Sequence, residues 1–203
     1  AFRQSTINAA LREAVENLDR ITFHDLYASY PDFLIDVPHE QQLCESHDII
    51  IFQHPFYWYS TPAMLKEWQD LVLEHGFAYG SEGRALEGKI LLNAATCGAR
   101  REVYTAEGGY RHELRDYFIP FEQTALLCRM RYLPPFALFG AGHAAAENRL
   151  QDHLTDYTRL LGALAEGRLD LDRFVSETIG IEGVEEAFHK MERGEVLRSV
   201  VVM

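Results

Sequence analysis

The sequence predicts an α/β chain built on a parallel, doubly wound sheet covered by helices on both sides, three layers in all. Two observations carry that expectation. Short, nearly continuous apolar runs, 48–55 (DIIIFQHP) and 88–98 (GKILLNAATCG), read as strands buried on both faces. They alternate with amphipathic segments of helical period, the pattern of βαβ units.

Taken in order, 5–17 reads as a helix, 19–27 (DRITFHDLY) as a strand and 36–47 as a second helix. After the strand 48–55, the segment 61–76 spaces Met64, Leu65, Trp68, Leu71 and Val72 on one helical face. Thr61 is its expected N-cap, Pro62 its first helical residue and Gly76 its stop. The strand 88–98 is followed by a largely helical 111–128 that contains Pro120, an extended 131–140 and a long helix over 144–167.

Composition narrows the function. Asp and Glu number 31 against 19 Lys and Arg, a net charge of −12, which argues against nucleic acid because phosphate binding needs clustered cations. The 47% hydrophobic content supports one well-packed core. No run reaches the roughly 20 apolar residues of a membrane span, and the first residues lack the pattern of a secretory signal, so a soluble intracellular protein is expected. Cys44, Cys97 and Cys128 form no metal-binding spacing, and buried reduced thiols are the expectation; no metal site is predicted.

Open parallel sheets bind ligands beyond the carboxyl ends of their strands. Pro55 there precedes four consecutive aromatics, Phe56, Tyr57, Trp58 and Tyr59, while Thr96, Cys97, Gly98 and Ala99 offer small side chains and backbone N–H groups. Together they suit the face and edge of a planar ring such as an isoalloxazine, although aromatic packing in a core is the competing account. Ser5, Thr6, Ile7 and Asn8 open a helix and suit a phosphate monoester, or a plain N-cap. A ring and a terminal phosphate in one crevice describe FMN.

At these residues the chain resembles the flavodoxin-like NAD(P)H:quinone reductases, and among them the ancillary proteins of glutathione-regulated potassium-efflux (Kef) systems. The resemblance covers most of residues 1–165 and is most specific over 24–41 (HDLYASYPDFLIDVPHEQ), 52–80 (FQHPFYWYSTPAMLKEWQDLVLEHGFAYG) and 128–140 (CRMRYLPPFALFG). It implies a flavodoxin-like fold and FMN, with FAD less favoured. The phosphate would fall to Ser5, Thr6, Ile7 and Asn8, and the ring to Pro55 through Tyr59 and to Thr96 through Ala99. Cys97 and Ala99 depart from the family's T-T-G-G loop, which puts in question a positive φ at the second glycine.

The resemblance further implies two-electron reduction of a quinone or related electrophile by NAD(P)H. Tyr104 is then the first candidate for the substrate face and His112 a weaker candidate acid, with a solvent-exposed histidine as the competing account. His54 reads as structural. A homodimer is implied, as is a cytoplasmic location, peripheral to the inner membrane face through a protein partner. The rival role is a regulatory subunit that binds and activates a potassium-efflux antiporter.

The family also opens with a central hydrophobic strand ending in A-H-P that this sequence does not contain. Residues 1–168 are therefore expected to form a flavodoxin-like domain short of that strand, and 169–203 a βαβ-like tail. The tail resembles the C-terminal segment of medium-chain alcohol dehydrogenases without their zinc ligands or glycine fingerprint. It contains an expected helix, 184–193, and a β-branched strand, 198–202. Two arrangements stay open: that strand enters the sheet in the central position, or the tail packs outside.

Overall fold

The computed structural model describes residues 6–165, and as backbone the pairs 178–179 and 200–201. Its centre is a parallel sheet. Strand β1 (Ile49–Pro55) pairs along its whole length with β2 (Ile90–Thr96), register Ile49 to Ile90 through Pro55 to Thr96. On the other side of β2 lie β3 (Arg131–Tyr132) and β4 (Phe136–Leu138), both parallel to it. The predicted strand 131–140 is thus cut in two at Leu133, Pro134 and Pro135, because proline has no N–H to give to a ladder.

Alternation along β1 and β2 sorts two cores. Leu92 and Ala94 of β2 pack with Ile7, Leu11 and Val15 of α1 (Thr6–Val15) and with Tyr157, Leu160, Leu161 and Leu164 of α7 (Arg149–Ala165). On the opposite face Phe52, Leu91 and Ala95 meet Cys44 of α3 (Val37–Ser46) and Leu65, Trp68 and Val72 of α4 (Ala63–Val72). Phe121 and Ala125 of α5 (Ile119–Leu127) complete that side. Short helices α2 (Leu26–Ser29) and α6 (Ala141–Ala144) connect the layers. This is the three-layer arrangement that the strand periodicity predicts.

Local details differ from expectation in three places. Helix α4 starts after Pro62, which occupies the N-cap position without a side-chain cap, so Thr61 does not cap it. The predicted helix 111–128 becomes a 3₁₀ turn, Leu114–Phe118, followed by α5 with Pro120 in its first turn, where a missing N–H costs nothing. The predicted strand 19–27 is not a strand: residues 21–25 lie outside any ladder and lead into α2, capped by Asp25. A strand exists only by pairing, and among the described residues β1 is the edge of the sheet on that side and does not pair with 21–25.

In the tail, β5 (Thr178–Ile179) and β6 (Val200–Val201) pair in parallel as a separate two-stranded ladder. The tail strand is therefore not paired with β1 in this structure. Ser5, the predicted boundary at 168 and the predicted helix 184–193 lie outside the described residues. Among the described residues no helix is long and apolar enough to cross a membrane, and no group of His, Cys, Asp and Glu is placed to hold a metal.

Candidate functional site: the crevice at the carboxyl ends of β1 and β2

The N-terminus of α1 is tied to the carboxyl ends of both long strands. The buried Asn8 side chain donates to Thr96 Oγ1 at 3.0 Å, and Gln53 Nε2 donates to the Asn8 carbonyl at 3.2 Å while its Oε1 accepts from Tyr157 at 2.9 Å. Asn8 thus joins the helix to the strand, while Thr6 is exposed at the helix end, whose first N–H groups have no partner within the helix. Ile7 faces the core with Leu92 and Ala94.

Beyond Pro55 the chain makes a tight two-residue reversal. Tyr57 and Ser60 exchange backbone hydrogen bonds of 3.1 and 2.9 Å, and Trp58 and Tyr59 both have positive φ, 48° and 62°. That is type I′ geometry, which favours Asn and Gly and costs bulky residues roughly 1–2 kcal/mol each. Trp58 is 92% exposed, so burial of its ring does not offset the strain. Phe56 lies inside, stacked on Phe118 with centroids 5.6 Å apart, and Tyr59 stacks on Tyr117 at 5.5 Å.

The loop after β2 supplies donors. Cys97 N–H is used by Leu138 O and Ala99 O accepts from Gly140 N–H, but the N–H groups of Gly98 and Ala99 make no backbone hydrogen bond among the described residues. Neither residue has positive φ, so alanine sits at 99 without strain and the departure from glycine has no conformational consequence. A Cβ built on Gly98 meets nothing within 4 Å, so space is open on that side of its Cα.

Tyr104 is buried behind the crevice, edge-on to Tyr110 at 5.0 Å and Phe139 at 5.3 Å, and its hydroxyl hydrogen-bonds the Cys97 thiol. Burial pushes the Cys97 thiol up to about 12, partly offset by Tyr104, so Cys97 is an unreactive neutral thiol. His112 stands exposed at the rim, 3.6 Å from Asp116 and edge-on to Tyr117 at 6.0 Å.

A buried polar chain under the loops has no counterpart in the sequence reading. Tyr132 OH donates to Asn93 Oδ1 at 2.9 Å, which fixes that amide so that its Nδ2 donates to His54 Nε2 at 3.2 Å. His54 Nδ1 in turn donates to the Pro55 carbonyl at 3.0 Å. Both ring nitrogens are assigned by their partners and the histidine is neutral, in accord with burial pulling it down to about 4. The chain anchors the base of the aromatic turn, as a structural histidine would. The one sequence signal for it was three polar residues in otherwise apolar strand segments.

The donor set fits FMN: a helix N-terminus for a phosphate, two adjacent N–H groups for ring oxygens and aromatic side chains for the ring face.

Comparison with known proteins agrees. A family model described as flavodoxin-like fold matches residues 2–161. The glutathione-regulated potassium-efflux system ancillary protein KefG of Pectobacterium atrosepticum is 46% identical over 161 residues, 79% of this chain and 85% of its own length. The structure of general stress protein 14 from Treponema denticola, in complex with FMN, is 40% identical with TM-score 0.76, covering 80% of this chain and 93% of that one. An NADPH-quinone reductase structure from P. pentosaceus is 31% identical with TM-score 0.71, covering 78% and 90%.

Proposed function

Since the chain belongs to the flavodoxin-like quinone reductase family, near the Kef ancillary proteins, we propose that it binds FMN and uses NAD(P)H to reduce a quinone or related electrophile by two electrons. The observation that carries this reading is the pair of free N–H groups at Gly98 and Ala99 beside the strained aromatic turn. FMN, when bound, supplies a ring that accepts a hydride and returns it to an acceptor.

The chain's own residues do the rest. The N–H groups of Gly98 and Ala99 would hold the ring edge and stabilise negative charge that develops there. Thr6 and the first N–H groups of α1, with Ser5 just before them in sequence, would hold the phosphate, and Asn8 keeps that helix end fixed against β2. Pro55 would close the base of the ring site, with Phe56 packed beneath the turn on Phe118 and Tyr57, Trp58 and Tyr59 available to cover the ring from water. Thr96 and Cys97 set the backbone path into the donor loop. Tyr104 backs the substrate face from within, and His112 stands exposed at the rim as the weaker candidate acid.

The test is uptake of FMN by the purified protein and FMN-dependent oxidation of NADH or NADPH on addition of a soluble benzoquinone. Gly98→Pro, which deletes one donor, is expected to lower turnover at least tenfold. A protein that takes up no flavin and oxidises neither dinucleotide contradicts the proposal. The 46% identity to KefG favours a second role for the same fold, a cytoplasmic ancillary subunit docked on a potassium-efflux antiporter at the inner membrane face. Co-purification with such an antiporter's cytoplasmic domain tests it. We further infer a homodimer, from the family, with light scattering as its check.

A further inference from the structure

The rim of the crevice carries an arginine that the protein itself does not use. Tyr110 N–H donates to Val103 O at 3.0 Å, its carbonyl accepts from Tyr117 OH at 3.4 Å, and its ring stands edge-on to Tyr59 at 5.3 Å and to Tyr104 at 5.0 Å. His112 lies edge-on to Tyr117 at 6.0 Å. Arg111, between the two, is therefore held beside the aromatic turn, and it is exposed. The loop that carries it is fixed in place: a Cβ on Gly108 would come within 2.6 Å of Val103 O, and Arg111 N–H closes the turn on Gly108 O at 3.1 Å.

Two features set Arg111 apart. Its φ is 58°, in the left-handed region that glycine enters freely and arginine does not. Among the described residues every other lysine and arginine has an acceptor or an aromatic face, as Arg100 has Glu147, Arg115 has Glu122 and Arg101 has the Phe139 ring, whereas the Arg111 guanidinium has none. The carboxylate nearest in the loop is engaged elsewhere, since Asp116 faces His112 at 3.6 Å and accepts from Glu113 N–H at 3.0 Å. In a chain of net charge −12, an unpaired guanidinium at the end of a strained turn is a group held ready for an anion.

The reactants limit which anion that is. The flavin phosphate falls to the N-terminus of α1, which Asn8 ties to Thr96, and a simple quinone carries no charge. Only the dinucleotide brings further phosphates, and the planar fork of an arginine matches a phosphate with two parallel donors. Given the NAD(P)H oxidation proposed above, on which this rests, we propose that Arg111 binds a phosphate of the dinucleotide and so distinguishes NAD(P)H from quinone at a shared ring face. The contact lies on a part of the dinucleotide that does not react, so it acts on KM and leaves kcat in place.

Kinetics of the flavin-loaded protein with NADH and with NADPH, each against an uncharged benzoquinone, test this. Arg111→Ala should raise the dinucleotide KM about tenfold, the effect of one lost charge-assisted contact, with kcat, quinone KM and FMN affinity unchanged. A rise for NADPH alone assigns the contact to the 2′-phosphate, and a rise for both assigns it to the pyrophosphate. The same split should appear without turnover, in calorimetric titration with NADP+ and NAD+. Wild-type KM for the dinucleotide should climb with ionic strength, and that of Arg111→Ala much less. Arg111→Gly, which relieves the left-handed backbone, should match Arg111→Ala in KM and melt no lower than wild type, separating a lost contact from a damaged loop. An active wild type whose dinucleotide KM is unchanged in Arg111→Ala overturns this proposal alone, as does an equal rise in quinone KM. A wild type that oxidises neither dinucleotide overturns the catalytic reading and this one with it.

Discussion

Glu40 shows how much a single side chain can hold. Its carboxylate is 2% exposed and accepts from His24 Nε2 at 2.7 Å, Tyr30 OH at 2.6 Å and Trp68 Nε1 at 2.7 Å. Burial pushes it up, but the three donors prevail and keep it below the ordinary carboxylate range. Glu40→Ala strands two buried donors and frees His24, and is expected to cost about 3 kcal/mol or more in urea unfolding. The hydrogen bond to Glu40 raises His24 against the opposing effect of its burial, so His24's contribution is full below its ordinary value of 6.5 and fades as pH rises through its folded value. His54 has the opposite sign. Held near 4 by burial, it stays neutral while the unfolded chain takes up a proton, so stability falls as pH drops from 6.5 towards 4. Urea midpoints over that range should decline in wild type and decline less steeply in His54→Gln. Neither network was legible from sequence, because Glu40, His24, Tyr30 and Trp68 lie on separate elements that only tertiary packing brings together.

At the scale of elements, β1, β2 and α4 were readable because their apolar pattern is strong. The segment 19–27 was misread for a physical reason: its alternation is that of a strand, but a strand also needs a neighbour within hydrogen-bond reach. The aromatic turn was recognised by composition, while its left-handed backbone at Trp58 and Tyr59 was not, since no Asn or Gly announces it. Trp58→Gly should therefore stabilise the flavin-free protein by about 1 kcal/mol in circular dichroism melts. If the turn is held in that shape to face a ring, the same substitution should weaken FMN binding, and loss of stability in Trp58→Gly would refute the strain assignment.

For the whole molecule, the sequence carried the layered α/β architecture and the placing of the α1 N-terminus, the aromatic turn and the 96–99 loop at the carboxyl ends of the strands. Thr6, Asn8, Phe56, Thr96 and Gly98 come from three distant segments, and they converge because α1, β1 and β2 present their ends on one side of a parallel sheet. The pairing of β6 with β5 was beyond reach, as it depends on which long-range ladder forms. The net charge of −12 leaves the exterior repelled by anionic lipid, so any membrane association of this chain is expected to run through a protein; flotation with anionic vesicles should leave the pure chain unbound.

A flavin site built from backbone donors at the ends of β1 and β2 is the core of the proposed function. A flavin-fluorescence titration of wild type, Gly98→Pro and Trp58→Gly tests it most directly. The expected result is one FMN per chain with Kd below about 1 µM in wild type, and at least tenfold weaker binding in both variants. Absence of binding in wild type, or equal affinity in all three, would contradict it.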